Sequence, residues 1–226
     1  MKFTTAKLLA VAALAAAPML ASAQLSANVS VTTNYKFRGQ DQGNNKPALQ
    51  GGFDYAHSSG FYVGNWNSSI GFTASGLESD LYAGYKFEAA GLGFDVGILT
   101  YIYPTLSAAD TTELYGAATW GPITAKYSHT ISDDYFGFGA GSNRGTGYWN
   151  LAFAQEVMKG LTLKASYGYT NFDNPANTNY ADYSLGLAYD LGNGFSVSGA
   201  AVGANKRATY GVVNKTRLIF TLTKAM

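Results

Sequence analysis

An all-β fold is what this sequence predicts: one antiparallel transmembrane β-barrel of about 12 strands. Three observations predict it. Apolar side chains recur at every second residue over segments of 9 to 12 residues, the length a tilted strand needs to cross a bilayer. The connections between those segments alternate between long and short, which places long loops at one end of a barrel and tight turns at the other. Composition agrees: of 226 residues 47% are hydrophobic and 13% charged, with 27 Gly, 17 Tyr, 13 Phe and 3 Trp, a glycine- and aromatic-rich mixture that suits sheets better than helices.

Other classes are excluded on the same grounds. Without Cys there is no disulfide framework, thiolate metal site or cysteine nucleophile. Past the N-terminal segment the longest apolar run, Val96 to Tyr103, is eight residues, far short of the ~18 that a membrane-crossing helix needs. A formal net charge of +1 gives no reason to expect nucleic acid as a partner.

From the N-terminus, Lys2 and Lys7 form a basic start, Leu8 to Leu20 an apolar stretch, and Ala21-Ser22-Ala23 a small-x-small cleavage site, so residues 1–23 read as a secretory signal cleaved after Ala23 and 24–226 as the barrel. The expected strands are 28 to 39, 47 to 57, 61 to 70, 77 to 87, 92 to 103, 112 to 120, 123 to 131, 147 to 155, 161 to 170, 181 to 191, 195 to 204 and 215 to 226, cut at Gly, Pro, Asn and Asp clusters. The first shows the pattern well: Val29, Val31, Thr33, Tyr35 and Phe37 alternate with Ser30, Thr32, Asn34, Lys36 and Arg38. Connections of 7, 6, 8, 15, 10 and 10 residues alternate with connections of 3, 4, 2, 5 and 3; the long set reads as extracellular loops and the short set as periplasmic turns.

Aromatics divide by strand end. Tyr35, Phe37, Tyr101, Tyr103, Tyr148, Trp149, Tyr167, Tyr169 and Tyr183 fall at loop ends. Phe53, Tyr55, Tyr62, Tyr85, Phe87, Phe94, Trp120, Tyr189 and Phe195 fall at turn ends. Two girdles at the membrane–water interfaces are the expectation, since Tyr and Trp present an apolar ring to lipid and a polar tip to headgroups.

The segment NVSVTTNYKFRGQDQGNNKPALQGGFDYAHSSGFYVGNW (28 to 66) resembles the opening of the TorF-type porins, a proteobacterial outer-membrane family. LYAGYKF (81 to 87), ELYGAATWGPITAKYSHTISDDYFG (113 to 137) and DYSLGLAYDLGNGF (182 to 195) resemble it too, so the likeness covers most of the chain after residue 23. Gln40 and Asp41 depart from it, standing where that family carries an apolar residue and then Ser. The chain also ends in Met226, where outer-membrane barrels commonly end in an aromatic. The resemblance implies passive diffusion of ions or small polar solutes across the outer membrane. The implied partners are outer-membrane lipid, the assembly machinery and the solutes themselves, with no cofactor, metal or catalytic residue.

With the apolar set turned to lipid, the ionisable residues left inside are Lys36, Arg38, Lys86, Lys126, Lys164 and Arg217, against Asp54, Glu78, Asp80, Asp95, Glu113, Asp182 and Asp190. Neither sign dominates, so a narrow, weakly selective pore is expected if water fills the lumen. Pairing across it would instead partly plug it and favour a closed structural or adhesive barrel. Arg38, which matches the Arg of the family's FRG block, has two readings: a constriction cation, or a structural ion pair with an acid on the wall. Gly39 after it suits a turn with positive φ.

A membrane-embedded hydrolase would need Ser, His and an orienting group. His57 lies beside the turn Ser58-Ser59-Gly60, and Ser128 and His129 point to opposite faces of one strand. Gly137, Gly139 and Gly141 lack the strand and helix of a phosphate loop. Asp133-Asp134 and Asp173-Asn174 lack calcium-loop spacing. The loop 132 to 146, with Tyr135, Phe136, Phe138 and Arg144, has two placements open to it: folded into the barrel mouth, which it would narrow, or outside, in contact with a ligand or a neighbouring cell.

Overall fold

The computed structural model describes residues 24–139 and 141–226; the expected signal peptide lies outside them. Twelve long strands form a closed antiparallel barrel: β1 (Gln24–Thr32), β4 (Ala48–Ala56), β5 (Phe61–Ser69), β6 (Leu77–Ala89), β7 (Leu92–Ile102), β8 (Thr111–Trp120), β9 (Ile123–Thr130), β10 (Gly147–Met158), β11 (Leu161–Asn171), β12 (Tyr180–Gly192), β13 (Phe195–Ala204) and β14 (Arg217–Ala225). Two short strands, β2 (Lys36–Phe37) and β3 (Gln40–Asp41), lie in the first long loop. Each wall strand pairs with its neighbours in sequence. The ring closes where β1 takes β4 on one side, from Gln24↔Ala56 to Thr32↔Ala48, and β14 on the other, from Asn28↔Ala225 to Thr32↔Thr221. The short connections 57–60, 90–91, 121–122, 159–160 and 193–194 share one end, and the long ones 33–47, 70–76, 103–110, 131–146, 172–179 and 205–216 the other.

The pleat sorts side chains inside out. Val29, Val31, Leu49, Leu81, Leu114, Leu151, Leu185, Leu187, Leu218, Phe220 and Leu222 are exposed on the outer wall, while Ser30, Thr32, Gln50, Ser68, Glu78, Glu113, Ser128, Thr130 and Thr170 are buried on the inner one. That polarity suits a sheet surrounded by hydrocarbon. Tyrosines lie along the inner wall and take up its carboxylates: the Tyr62 hydroxyl donates to Asp95 at 2.6 Å and also meets the Tyr115 hydroxyl, and the Tyr82 hydroxyl donates to Asp54 at 2.5 Å.

Eleven strands lie within three residues of their predicted bounds; the first does not. Alternation continues unbroken from Val29 to Arg38, yet the wall strand runs from Gln24 and stops at Thr32. Beyond it the chain forms a separate hairpin, β2 against β3, with Lys36↔Asp41 and Phe37↔Gln40 in register. Arg38 and Gly39, at φ +46 and +74, form its two-residue turn, the primed geometry that tight hairpins favour. Lys36 and Arg38 are therefore on an infolded loop and not on the wall.

The girdle expectation is corrected in the same way. Trp149, Tyr167, Tyr169 and Tyr183 at the loop end, and Phe53, Tyr55, Tyr85, Phe87, Trp120, Tyr189 and Phe195 at the turn end, are exposed on the outer face. Tyr35, Tyr62, Tyr101, Tyr103 and Tyr148 are buried on the inside. Adjacent strand residues point to opposite faces, so Trp149 outside obliges Tyr148 inside.

Gly97 faces Tyr115 across the β7–β8 ladder. A Cβ there would stand 2.5 Å from both the Tyr115 Oη and the Ala83 carbonyl oxygen, so Gly97→Ala must displace a ring and a backbone. At Gly116 the nearest atom to an added Cβ is Val96 Cγ1 at 4.0 Å. Gly97→Ala is expected to destabilise the barrel by about 1–3 kcal/mol and Gly116→Ala by little, read as heat-modifiable gel mobility in detergent. Equal midpoints for the two variants would contradict this packing.

Candidate functional site: a lumen closed by an infolded loop

The loop 33–47 leaves the β1–β4 edge and reaches the far wall. Tyr35 donates to Glu78 Oε1 on β6 at 2.7 Å, and Tyr103 donates to Glu78 Oε2 at 2.7 Å. The Lys36 ammonium donates to the carbonyls of Gly39 and Val213 at 2.7 and 2.8 Å, and the Gln40 amide to Asn214 at 3.0 Å. The hairpin tip presses on the wall: a Cβ on Gly39 would lie 2.5 Å from the Gly203 carbonyl oxygen and 2.7 Å from Asp182 Cβ. Only a residue without a side chain fits that turn.

Arg38 is thereby delivered to the side of the ring opposite its own strand. Its guanidinium makes a two-pronged contact with Glu113 on β8, Nη1 to Oε1 at 2.9 Å and Nη2 to Oε2 at 2.7 Å, and Nη1 also donates to the Tyr135 hydroxyl at 2.7 Å. The guanidinium carbon lies 4.0 Å from the ring centroid of Tyr148 on β10. Both side chains of the ion pair are buried, at 5% and 1% exposure. Paired guanidinium and carboxylate forks give strong, direction-specific hydrogen bonds, and the aromatic face adds cation–π attraction. Of the two readings of Arg38, the ion pair is the arrangement present.

A second loop, 131–146, completes the lid. Tyr135 is 1% exposed; Phe136 packs on Phe37 and Tyr101, and Phe138 on Phe172 and Tyr210. Of the two placements open to this loop, the one inside the mouth is the one present. A cavity of about 200 Å³ remains among the infolded loops 33–47, 131–146 and 205–216, bordered among others by Phe37, Gln40, Tyr135 and Val213.

The remaining charges occupy distinct settings. Asp54 and Asp95 accept from Tyr82 and Tyr62. Lys126 sits 4.1 Å from the Tyr115 ring centroid and Lys86 5.0 Å from that of Tyr62. Lys164 is half-buried on β11. Asp182 Oδ1 accepts from Tyr148 at 3.2 Å, while Asp182 Oδ2 and Asp80 Oδ1 are buried with no hydrogen-bond partner among the described residues. Arg217 pairs with Asp41 at 3.5 Å beside the lid, and Asp190, exposed at the turn end, accepts from the Gly192 amide at 2.8 Å. His57 Nδ1 lies 2.9 Å from Ser59 Oγ in an exposed turn, and His129 Nδ1 lies 3.3 Å from the Tyr127 hydroxyl. The residues that sequence reasoning missed are the tyrosines Tyr35, Tyr103, Tyr135 and Tyr148, which do most of the gripping. Parity alone was a usable signal for Tyr148.

A family described as bacterial proteins of unknown function (Gcw_chp) has a model that matches residues 15–225. No curated protein matches the chain. Among solved structures, the NanC porin superposes with a TM-score of 0.58 at 9% identity, covering 89% of this chain and 98% of that one. The KdgM porin, solved in complex with disordered oligogalacturonate, gives 0.56 at 8% identity, covering 88% and 97%. The likeness is one of architecture: a closed antiparallel barrel of the kind outer-membrane porins have.

Arg38→Ala leaves Glu113 buried without its partner, an expected loss of about 3–5 kcal/mol. Glu113→Gln added to it removes the stranded charge, so the double variant should be less damaged than the two single losses together, by at least about 1 kcal/mol. Urea unfolding in detergent micelles measures the cycle, and strict additivity would mean that the pair does not act as a unit.

Proposed function

The chain belongs to the Gcw_chp family of bacterial proteins, and we propose that it is an outer-membrane porin-type barrel through which ions and small polar solutes diffuse passively along a narrow, weakly selective path. The observation that carries this reading is the charge on the inner wall. Lys86, Lys126 and Lys164 face inward, and among the described residues no carboxylate oxygen comes within 4.0 Å of their ammonium groups. Lys126 and Lys86 have only the faces of Tyr115 and Tyr62 beside them, and an ammonium group that loses water without gaining a carboxylate costs several kcal/mol, so this wall suits a water-filled lumen. The architecture shared with the NanC and KdgM porins and the resemblance to the TorF-type porins support the same reading. In it, residues 1–23 are the export signal and the apolar outer wall meets outer-membrane lipid.

A second reading has its own observation. The infolded loops with their aromatic packing and buried Arg38–Glu113 pair favour a barrel whose resting state is closed, with a structural or adhesive role at the cell surface.

Planar-bilayer recording of residues 24–226 separates the two. The channel reading expects discrete current steps and a reversal potential close to zero under a salt gradient, moved toward cation preference by Lys126→Glu with Lys164→Glu. Silence from protein that still shows heat-modifiable mobility transfers the function to the closed reading. A reversal potential indifferent to both substitutions means the current does not follow this wall.

A further inference from the structure

The setting of Arg38 has the form of a ligand site occupied by the chain itself. Without the lid, the wall alone supplies a carboxylate fork, Glu113. It also supplies an aromatic face, Tyr148, whose hydroxyl donates to Asp182, which leaves that ring more electron-rich and the better cation partner. Tyr101 stands at the edge, its hydroxyl 3.5 Å from Glu113 Oε2. Two further buried carboxylates, Asp80 on β6 and Asp182 on β12, at 6% and 5% exposure, each keep one oxygen with no hydrogen-bond partner among the described residues. Those strands stand half-way round the ring from each other. Glu78, Asp80, Glu113 and Asp182 thus surround a lumen to which the lid brings the cation Arg38. Uncompensated buried carboxylates favour a cation in their midst.

We propose that the wall cage of Glu113, Tyr148 and Tyr101 is a recognition site for a solute bearing a guanidinium or primary ammonium group, and that Arg38 fills it as a tethered stand-in until such a solute displaces the lid. The turn that carries Arg38 fits this role. Arg38 holds φ +46, a backbone state unfavourable to a residue with a side chain, so part of the affinity of the guanidinium for its cage is offset by strain that a free solute does not bear. A planar guanidinium matches the carboxylate fork better than an ammonium does, so guanidinium solutes should bind more tightly than alkylammonium ones.

The test uses methylguanidinium as probe on residues 24–226 in detergent, with sodium chloride at equal ionic strength as the control, and reads the folded fraction by heat-modifiable mobility. Methylguanidinium should restore the folded yield and thermal midpoint of Arg38→Ala toward those of the unsubstituted barrel. It should do so at least about tenfold less effectively for Arg38→Ala with Glu113→Gln, which loses the charge-assisted hydrogen bonds. Because the reading is rescue, a poorly folding Arg38→Ala barrel still reports. No rescue, or equal rescue of both variants, overturns the proposal. A conduction arm rests on the porin reading: Arg38→Ala should gain cation preference, and methylguanidinium should block its current in a Glu113-dependent way. Rescue without current in any variant would keep the cage and remove the porin reading; current with neither rescue nor block would do the reverse.

Discussion

Hydrocarbon offers no partner to a backbone amide, so a sheet immersed in it has to leave no edge. Here the condition is met by the seam at which β1 takes both β4 and β14, and the rest of the molecule depends on it. A closed ladder needs strands that alternate strictly, because one slipped residue would turn every leucine inward and every carboxylate to lipid. The same alternation gathers all the polar side chains of the wall into one enclosed space. A lumen crowded with carboxylates, lysines and hydroxyls is therefore the necessary inner face of a lipid-compatible outer face, before any question of function arises.

That inner face then has to be satisfied. Near the turn end it satisfies itself, with tyrosines lying along the wall and donating to Asp54 and Asp95. Near the loop end part of it is satisfied from outside the wall: Glu78 takes a hydroxyl from the infolded Tyr35, and Glu113 takes the infolded Arg38. The lid is thus coupled to the wall through hydrogen bonds to its carboxylates as well as through its rings. Sequence-distant partners suffice because the barrel brings β8 and β10 to face the β1–β4 edge.

The strands were legible because each carries its own evidence: a residue that faces lipid must be apolar whatever its neighbours do, so the segment from 195 to 204 can be read without knowing its partners. Asp80, Asp95, Glu113 and Asp182, buried on the inner wall, were legible for the same reason, by subtraction, whereas Lys36 and Arg38 were not. The first loop was misread because Tyr35 and Phe37 extend the parity of Val29 and Val31 while belonging to a hairpin paired only with itself. Period two reports extended backbone and not which sheet the backbone joins. Pairings were out of reach for another reason. That Arg38 meets Glu113, 75 residues away, depends on ring closure and on where a turn tip lands, neither of which any local pattern encodes.

The choice of arginine at a strained position bears on whether the lid is a plug or a gate. A permanent plug is best made of apolar residues, since a buried ion pair exchanged for well-packed hydrophobic groups is often neutral or stabilising. A charged tip held at positive φ gives up stability, and a contact that can be exchanged is one return for that loss, beside the fixing of where the tip docks. Exchange has a quantitative limit: a solute shifts the lid only by its differential affinity for the open form, and moving a lid from 1% to 99% open requires about 5.5 kcal/mol of it. On the proposed reading that difference arises at the fork of Glu113 and the face of Tyr148, which Arg38 occupies when the lid is in. A solute that touched only the outer rim would bind both forms alike and move nothing.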